Sequence, residues 1–214
     1  MAVTLKLATS LDGRIATASG ESRWITGEAS RAEVHRLRSR HDAVVVGIET
    51  ALADDPELTV RLPGYDGPQP ARVVLDSRQR LSPDCRLVRT AREIPTYVVA
   101  AGPPEPALTE AGVRVLPVRA IGEDRPDLET VVETLAAEGL GALFVEGGGQ
   151  VAASFVRCGL VDALEWFRAP VLIGGEGRPG IGALAVAALV AAPHFRRIAV
   201  HELGPDVWER YARS

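Results

Sequence analysis

The feature that most restricts this chain is an unbroken apolar run with polar residues directly after it. Ala43, Val44, Val45 and Val46 close at Gly47. A short β-branched run of this kind reads as a buried strand. A polar turn at Glu49 and Thr50 follows, then a short Ala/Leu segment ending in Asp54, Asp55 and Pro56, then Leu58, Thr59, Val60 and Arg61. One buried strand thereby delivers a threonine, two carboxylates and an arginine within a few turns of chain. That is how an α/β fold presents polar groups at a strand's end. Taken alone, the stretch reads equally as a strand, a turn and a solvated acidic pair.

The 214 residues suit one α/β domain, spanning 1–214, better than two. With 46% hydrophobic and 24% charged residues and a net charge of −4, there is no long-range field to gather nucleic acid, although local basic residues can still hold a small phosphate. No apolar run approaches the roughly 20 residues that span a bilayer, and no basic segment precedes an apolar one at the N-terminus. Cys85 and Cys158 lack C-x-x-C spacing, so they read as separate thiols rather than a metal site or disulfide framework. The expectation is a soluble, cytoplasmic, single-domain protein without a metal, a membrane partner or a nucleic-acid partner.

In chain order, residues 3–7 alternate as a first strand, placing Lys6 and Ala8 before the turn Ser10, Leu11, Asp12, Gly13. A small-residue loop over 19–26 carries Ser22 and Trp24. Thr26 reads as a helix N-cap with Glu28 in the first turn, and the helix runs to about Arg40. Residues 63–70 form a loop by composition. Residues 72–76 form a strand ending in Ser77, Arg78, Gln79 and Arg80. A serine beside two arginines there suits an adenosine 2′-phosphate, and an ordinary charged turn explains the arginines equally well. Strands at 96–100, 113–118 and 142–145 alternate with helices at 106–111 and 128–138, which argues for parallel strands with helices on the sheet's faces. Between Gly102 and Gly141 nothing suggests chemistry, and the segment reads as scaffold. At Glu146, Gly147, Gly148, Gly149 and Gln150 a strand gives way to three glycines and a helix over 150–158, whose free N–H groups favour an anion. The G-x-G-x-x-G fingerprint is missing, which disfavours a standard Rossmann dehydrogenase. Residues 160–167 read as a helix end passing into a strand, and 195–202 and 205–211 as the last strands.

Several of these motifs occur together in one family. K-x-A-x-S-L-D-G-R-I-A from Lys6, S-x-W-I-[ST] from Ser22, D-A-V-x-V-G-x-x-T-x-x-x-D-D-P-x-L-T-x-R from Asp42 and E-G-G-G from Glu146 resemble the riboflavin-biosynthesis pyrimidine reductases. The resemblance runs from Val3 to the C-terminus. It implies an α/β, dihydrofolate-reductase-like fold with a mixed, mostly parallel central sheet flanked by helices. It also implies NADPH-dependent reduction of 5-amino-6-(5-phosphoribosylamino)uracil to the ribitylamino product. By the same resemblance Asp54, Lys6 and Glu146 are the catalytic group. The phosphorylated pyrimidine is bound by Lys6, Ser22, Arg38, Asp54, Leu58, Arg61 and Glu146, with Arg38 and Arg61 on its 5′-phosphate. NADPH is bound by Ala8, Trp24, Thr50, Asp54, Ser77, Gly148, Gly149, Gln150, Val151, Ala152, Ala153 and Ser154. A homodimer is the expected assembly, with the covered edge left open.

Many bacterial relatives carry an N-terminal zinc deaminase with an H-x-E…P-C-x-x-C signature, a spacing this sequence lacks. The chain therefore reads as a free-standing reductase or a domain of a longer parent, and the choice between the deaminated and non-deaminated pyrimidine stays open. The competing readings are a paralogous NADPH reductase of another pterin- or sugar-like substrate, and a non-catalytic nucleotide-binding protein. Lys6, Arg38, Asp54, Arg61 and Glu146 occurring together count against the last.

Overall fold

A computed structural model describes residues 1–121 and 125–214. In chain order it contains β1 (Ala2–Thr9), β2 (Arg14–Ala16), α1 (Glu28–Arg38), β3 (Ala43–Gly47), α2 (Ile48–Asp54), β4 (Ala71–Leu75), α3 (Arg86–Arg89), β5 (Thr96–Ala100), α4 (Pro106–Glu110) and β6 (Arg114–Pro117). There follow β7 (Ala120–Ile121), β8 (Arg125–Pro126), α5 (Leu128–Ala137), β9 (Ala142–Val145), α6 (Gly149–Arg157), β10 (Ala163–Arg168), β11 (Arg178–Pro179), β12 (Phe195–Leu203) and β13 (Asp206–Arg213). The chain divides into two compact units. One is Arg36–Gly147 with Met1; the other is Ala2–His35 with Gly148–Ser214.

The first unit is built on parallel strands in the order β9, β3, β4, β5, β6, with Val45 opposite both Val73 and Val145. Every residue of β3, β4 and β5 is buried. Their valine-rich runs suit strands covered on both faces, where no polar alternation is needed. On one side lies a cluster that includes Val44, Val46, Leu58, Val74, Leu87, Val98 and Leu108. In the second unit β1 runs parallel to β10, while β13 pairs antiparallel with both β10 and β12. The sheet is thus mostly parallel, as expected, with its antiparallel members in the C-terminal strands. Glu165 of β10 is buried there but satisfied: Trp208 Nε1 donates to it at 2.7 Å, and Arg210 Nη2 at 3.0 Å.

Strands 96–100 and 142–145 fall where the sequence places them, most other boundaries move by a residue or two, and the helix end read from 160 onward comes earlier, at Arg157, with the strand starting at Ala163. Three expectations need correction. Helix α1 ends at Arg38, and Thr26 lies outside its start. The cap comes from Asp206, whose Oδ2 accepts from the Gly27 N–H at 2.7 Å and the Ser30 hydroxyl at 2.6 Å. A carboxylate there satisfies a free N–H and the helix dipole together. Glu49 and Thr50 lie in the first turn of α2 rather than in a turn, because the Ile48–Ala51 spacing buries one helical side and the segment is rich in good helix formers. The short helix α3 has no counterpart in the sequence reading. Residues 122–124, part of the expected scaffold, lie outside the described residues. Among the described residues no helix is long and apolar enough to cross a membrane, and no cluster of His, Cys, Asp and Glu could hold a metal ion.

Candidate active site

In the first unit the dominant feature is an ion pair between the end of α1 and the end of β9. Glu146 donates its N–H to the Val45 carbonyl at 2.9 Å, which fixes its backbone beside β3. Its carboxylate receives Arg38 Nε at 2.5 Å and Nη2 at 2.9 Å, a fork-on-fork contact. Arg38 Nη1 donates to the Thr59 carbonyl at 2.8 Å. The two side chains are only 11% and 8% exposed. Burial works against the Arg38 charge, but the attraction of Glu146 and its hydrogen bonds outweigh it and hold the guanidinium above its ordinary pKa. Three of the five N–H groups of Arg38 are used, so two remain for an anion.

Thr59 also joins this arginine to the next. Arg61 Nη1 reaches the Thr59 hydroxyl at 3.3 Å and Glu57 Oε2 at 3.0 Å, in a half-exposed i,i+4 pair. The two expected phosphate contacts therefore meet at one residue. Leu58 between them takes a positive φ of 55° and buries its side chain in the core cluster. Its side chain is not available to a substrate, so a contact at this position comes from the backbone.

Asp54 is exposed at the last residue of α2, and Asp55 follows as its left-handed cap. Asp55 is not merely solvated: its Oδ1 accepts from the Arg86 N–H at 2.8 Å. Thr50 packs by Gly147, where an added Cβ would lie 3.0 Å from Val46 and 3.1 Å from Thr50 Oγ1. The Ser77 loop is held from both ends. Asp76 is fully buried, accepts the Leu81 N–H through Oδ2 at 2.9 Å, and accepts the Gln79 N–H through its carbonyl at 3.1 Å. Gln79 in turn clamps Pro103 and Glu105. Arg80 does not stand ready for an anion, because its Nη2 lies 2.5 Å from Glu49 Oε1.

In the second unit Lys6 and Ala8 stand two residues apart on one face of β1, each partly buried. Ser22 is half-buried. Trp24 is 71% exposed, with the Arg31 guanidinium 4.6 Å from its ring centroid. Helix α6 begins after Gly148, which needs glycine for its φ of 83°. The Ala152 N–H is bonded to the Gly148 carbonyl, so the N–H groups of Gly149, Gln150 and Val151 precede the helical ladder. The other glycines answer to the chain itself. A Cβ on Gly149 would collide with the Pro179 carbonyl, and Gly182 donates to the Gly149 carbonyl at 2.8 Å. Ala152 and Ala153 turn into the core, Gln150 is exposed, and the Ser154 hydroxyl accepts from Arg157 Nη2 at 3.0 Å. Any cofactor contact at the two alanines is through the backbone.

Sequence reasoning missed Thr59 as the residue shared by both arginines, Asp206 as a cap and Arg72 as a buried cation. Only Arg72 had a visible signal, a charge inside an otherwise apolar strand.

The profile of the RibD C-terminal domain matches residues 1–208. The riboflavin biosynthesis protein RibD of Bacillus amyloliquefaciens is 37% identical over 210 residues, covering 96% of this chain and 55% of that protein. The 2,5-diamino-6-ribosylamino-4(3H)-pyrimidinone 5′-phosphate reductase of Methanothermobacter thermautotrophicus is 42% identical over 176 residues, covering 81% of this chain and 80% of that protein. The solved structure of Acinetobacter baumannii RibD superimposes with a TM-score of 0.88 at 32% identity, covering all of this chain and 58% of the other. The chain spans a little over half the length of these RibD proteins, and its α/β fold is the dihydrofolate-reductase-like one of their reductase domains. On residues 1–208 and on identities above 30% to RibD proteins, the chain belongs to the RibD C-terminal domain family.

Proposed function

We propose that this chain is a reductase that converts 5-amino-6-(5-phosphoribosylamino)uracil to its ribitylamino product with NADPH. The observation that carries the reading is the arrangement around Thr59, where Arg38 bonds the carbonyl and Arg61 the hydroxyl. Two guanidiniums meeting at one residue suit a phosphate monoester, and the two unused N–H groups of Arg38 are free to take it. Arg38 also grips and orients the Glu146 carboxylate through its fork, so its part extends beyond the phosphate. Asp54, Lys6 and Glu146 exert polar control at the reacting ribose, and Ser22 and the backbone of Leu58 add substrate contacts.

The residues present fit a dinucleotide. Three N–H groups at the start of α6 suit a pyrophosphate, the exposed Trp24 ring suits a flat heterocycle, and the well-held Ser77 loop suits a further phosphate. When bound, NADPH supplies the hydride taken up at C1′ of the ribose. Residues 148–154 are assigned to it together with Ala8, Trp24, Thr50, Asp54 and Ser77. The family match runs across both units, which supports 1–214 as one functional domain. A cytoplasmic setting suits a reaction that draws on a phosphorylated substrate and NADPH. A homodimer would cover Ile198 and Val200 of β12 with Leu189 and Val190, all between 49% and 91% exposed. Sedimentation of an Ile198→Asp variant as a monomer beside a dimeric parent would support that assembly.

A second reading is favoured by the 42% identity to the archaeal reductase: the non-deaminated diaminopyrimidinone is the substrate. Anaerobic NADPH oxidation with both pyrimidines separates the two. Turnover with the uracil supports the first and turnover confined to the diamino compound the second. NADPH binding without turnover on either would leave a nucleotide-binding protein.

A further inference from the structure

Arg72 lies inside β4 and is 1% exposed. A buried guanidinium is costly unless its donors are met, and a carboxylate is the usual answer. Here the partners are all neutral. Nε and Nη2 donate to Thr96 Oγ1 at 3.0 and 2.6 Å, Nη2 reaches the Leu87 and Ile94 carbonyls at 3.1 Å, and Nη1 donates to Thr90 Oγ1 at 2.7 Å. Among the described residues no carboxylate stands within ion-pair distance, and burial brings the group down to about 10. One Nη1 hydrogen is left without an acceptor.

Beside this side chain lies a cavity of about 290 Å³ lined by Glu57, Thr59, Arg72, Arg86, Arg89, Thr90 and Ile94. Arg86 is loosely held, with Asp55 at 3.5 Å and Glu57 at 3.6 Å, and is 59% exposed. Arg89 is exposed and has no ion-pair partner among the described residues. The single acid in the lining, Glu57, is also engaged by Arg61 at 3.0 Å. Three guanidiniums therefore line a cavity that holds one carboxylate, Glu57, with Asp55 reaching Arg86 from outside the lining; the positive excess suits an anion. Bonds from Arg72 to the Leu87 and Ile94 carbonyls explain how it ties α3 to the chain before β5. They do not explain why Arg86 and Arg89 join the same cavity.

We propose that this cavity is a binding site for a phosphate-class oxyanion, separate from the Arg38–Arg61 pair and held by Arg72, Arg86 and Arg89. Guanidinium forks match tetrahedral oxyanions, and the volume admits a phosphate with a small group attached. The site shares Thr59 and Glu57 with the segment that carries Arg61, so its occupancy bears on the substrate side of that segment.

Calorimetric titration of the whole chain with inorganic phosphate at low ionic strength tests the site, and needs no catalytic turnover. Arg86→Gln and Arg89→Gln, both at exposed positions, should each weaken one phosphate site about tenfold, and together about a hundredfold. Arg61→Ala should leave a phosphate site in place, weakened at most by the release of Glu57 into the lining, and loss of all phosphate binding in that variant would overturn the separation from the Arg38–Arg61 pair. The titration is repeated with the phosphorylated pyrimidine present at saturation. Persistent phosphate binding supports a separate site for a free anion, whereas displacement makes the substrate's own phosphate the occupant and overturns the separation. An unchanged affinity in the double variant, or no binding by the parent protein, overturns the site itself.

Discussion

Replacing Arg38 by alanine removes three contacts at once. Two belong to the fork on Glu146 and the third to the Thr59 carbonyl. With the pair's side chains 11% and 8% exposed, the loss leaves a carboxylate nearly out of water with its main partner gone. Solvated ion pairs contribute ~0–1 kcal/mol, whereas cutting one partner from a buried pair costs ~3–5 kcal/mol. Arg38→Ala is therefore expected to lose ~3–5 kcal/mol in urea denaturation, read as a lower midpoint at unchanged slope. Arg38→Met combined with Glu146→Leu should lose less than the sum of its single variants, because the guanidinium and the carboxylate of the fork are removed together. Kinetics give a second view. Arg38→Ala should slow reduction of both the phosphorylated substrate and its dephosphorylated analogue, since Glu146 is released as well. Arg61→Ala, in a half-exposed pair, should lower kcat/KM by about 10- to 100-fold on the phosphorylated substrate alone. A stability loss below ~1 kcal/mol for Arg38→Ala would refute the reasoning, for it would mean that the guanidinium is solvated.

Ser77→Ala should lower kcat/KM for NADPH about tenfold and leave NADH unchanged, while Arg80→Ala does less because Glu49 already holds that arginine; equal effects on both cofactors would reject the assignment. Gly149→Ala drives a Cβ into the Pro179 carbonyl, so a loss of ~1–3 kcal/mol and a lower Tm are expected, and an unchanged Tm would contradict the packing. Asp12 is held down to about 2 from 3.8, first by the Ser10 hydroxyl and then by the Gly174 and Ile173 N–H groups. A depressed folded-state pKa contributes stability that is present above about pH 4 and lost as pH falls toward 2. The Tm gap between the parent and Asp12→Asn should therefore close over that window, and a gap that does not narrow would disprove the linkage.

What could be read from the sequence was local. The unbroken valine runs of β3 and β5 need no partner's identity to be recognised, because burial on both faces leaves its mark in every residue. Arg38 and Glu146 were each singled out, but their pairing joins residues 108 apart and has no sequence signal. The α1 cap was misread for the same reason: Thr26 is the obvious local candidate, and the carboxylate that does the capping stands 179 residues away from Gly27. Leu58 was read by its place in a motif, yet an apolar side chain with a core beside it goes into that core. The glycines after Glu146 were read as room for a ligand. At Gly147 and Gly149 the room is filled by the chain's own Val46, Thr50 and Pro179. Arg72 was read only as the first residue of a strand, and nothing local marks the neutral acceptors at Thr90, Leu87 and Ile94 that make its burial tolerable.

Hydride transfer to C1′ of a phosphoribosylaminopyrimidine, the reaction proposed for this chain, is open to test by isotopic labelling. The chain is incubated with NADPH carrying deuterium at C4 and with each pyrimidine, and the ribitylamino product is analysed by mass spectrometry and NMR. The expected result is one deuterium at C1′ of the product, formed from one or both pyrimidines and lost when Asp54 is replaced by alanine. Unlabelled product, or oxidation of NADPH with no ribitylamino product from either pyrimidine, would contradict it.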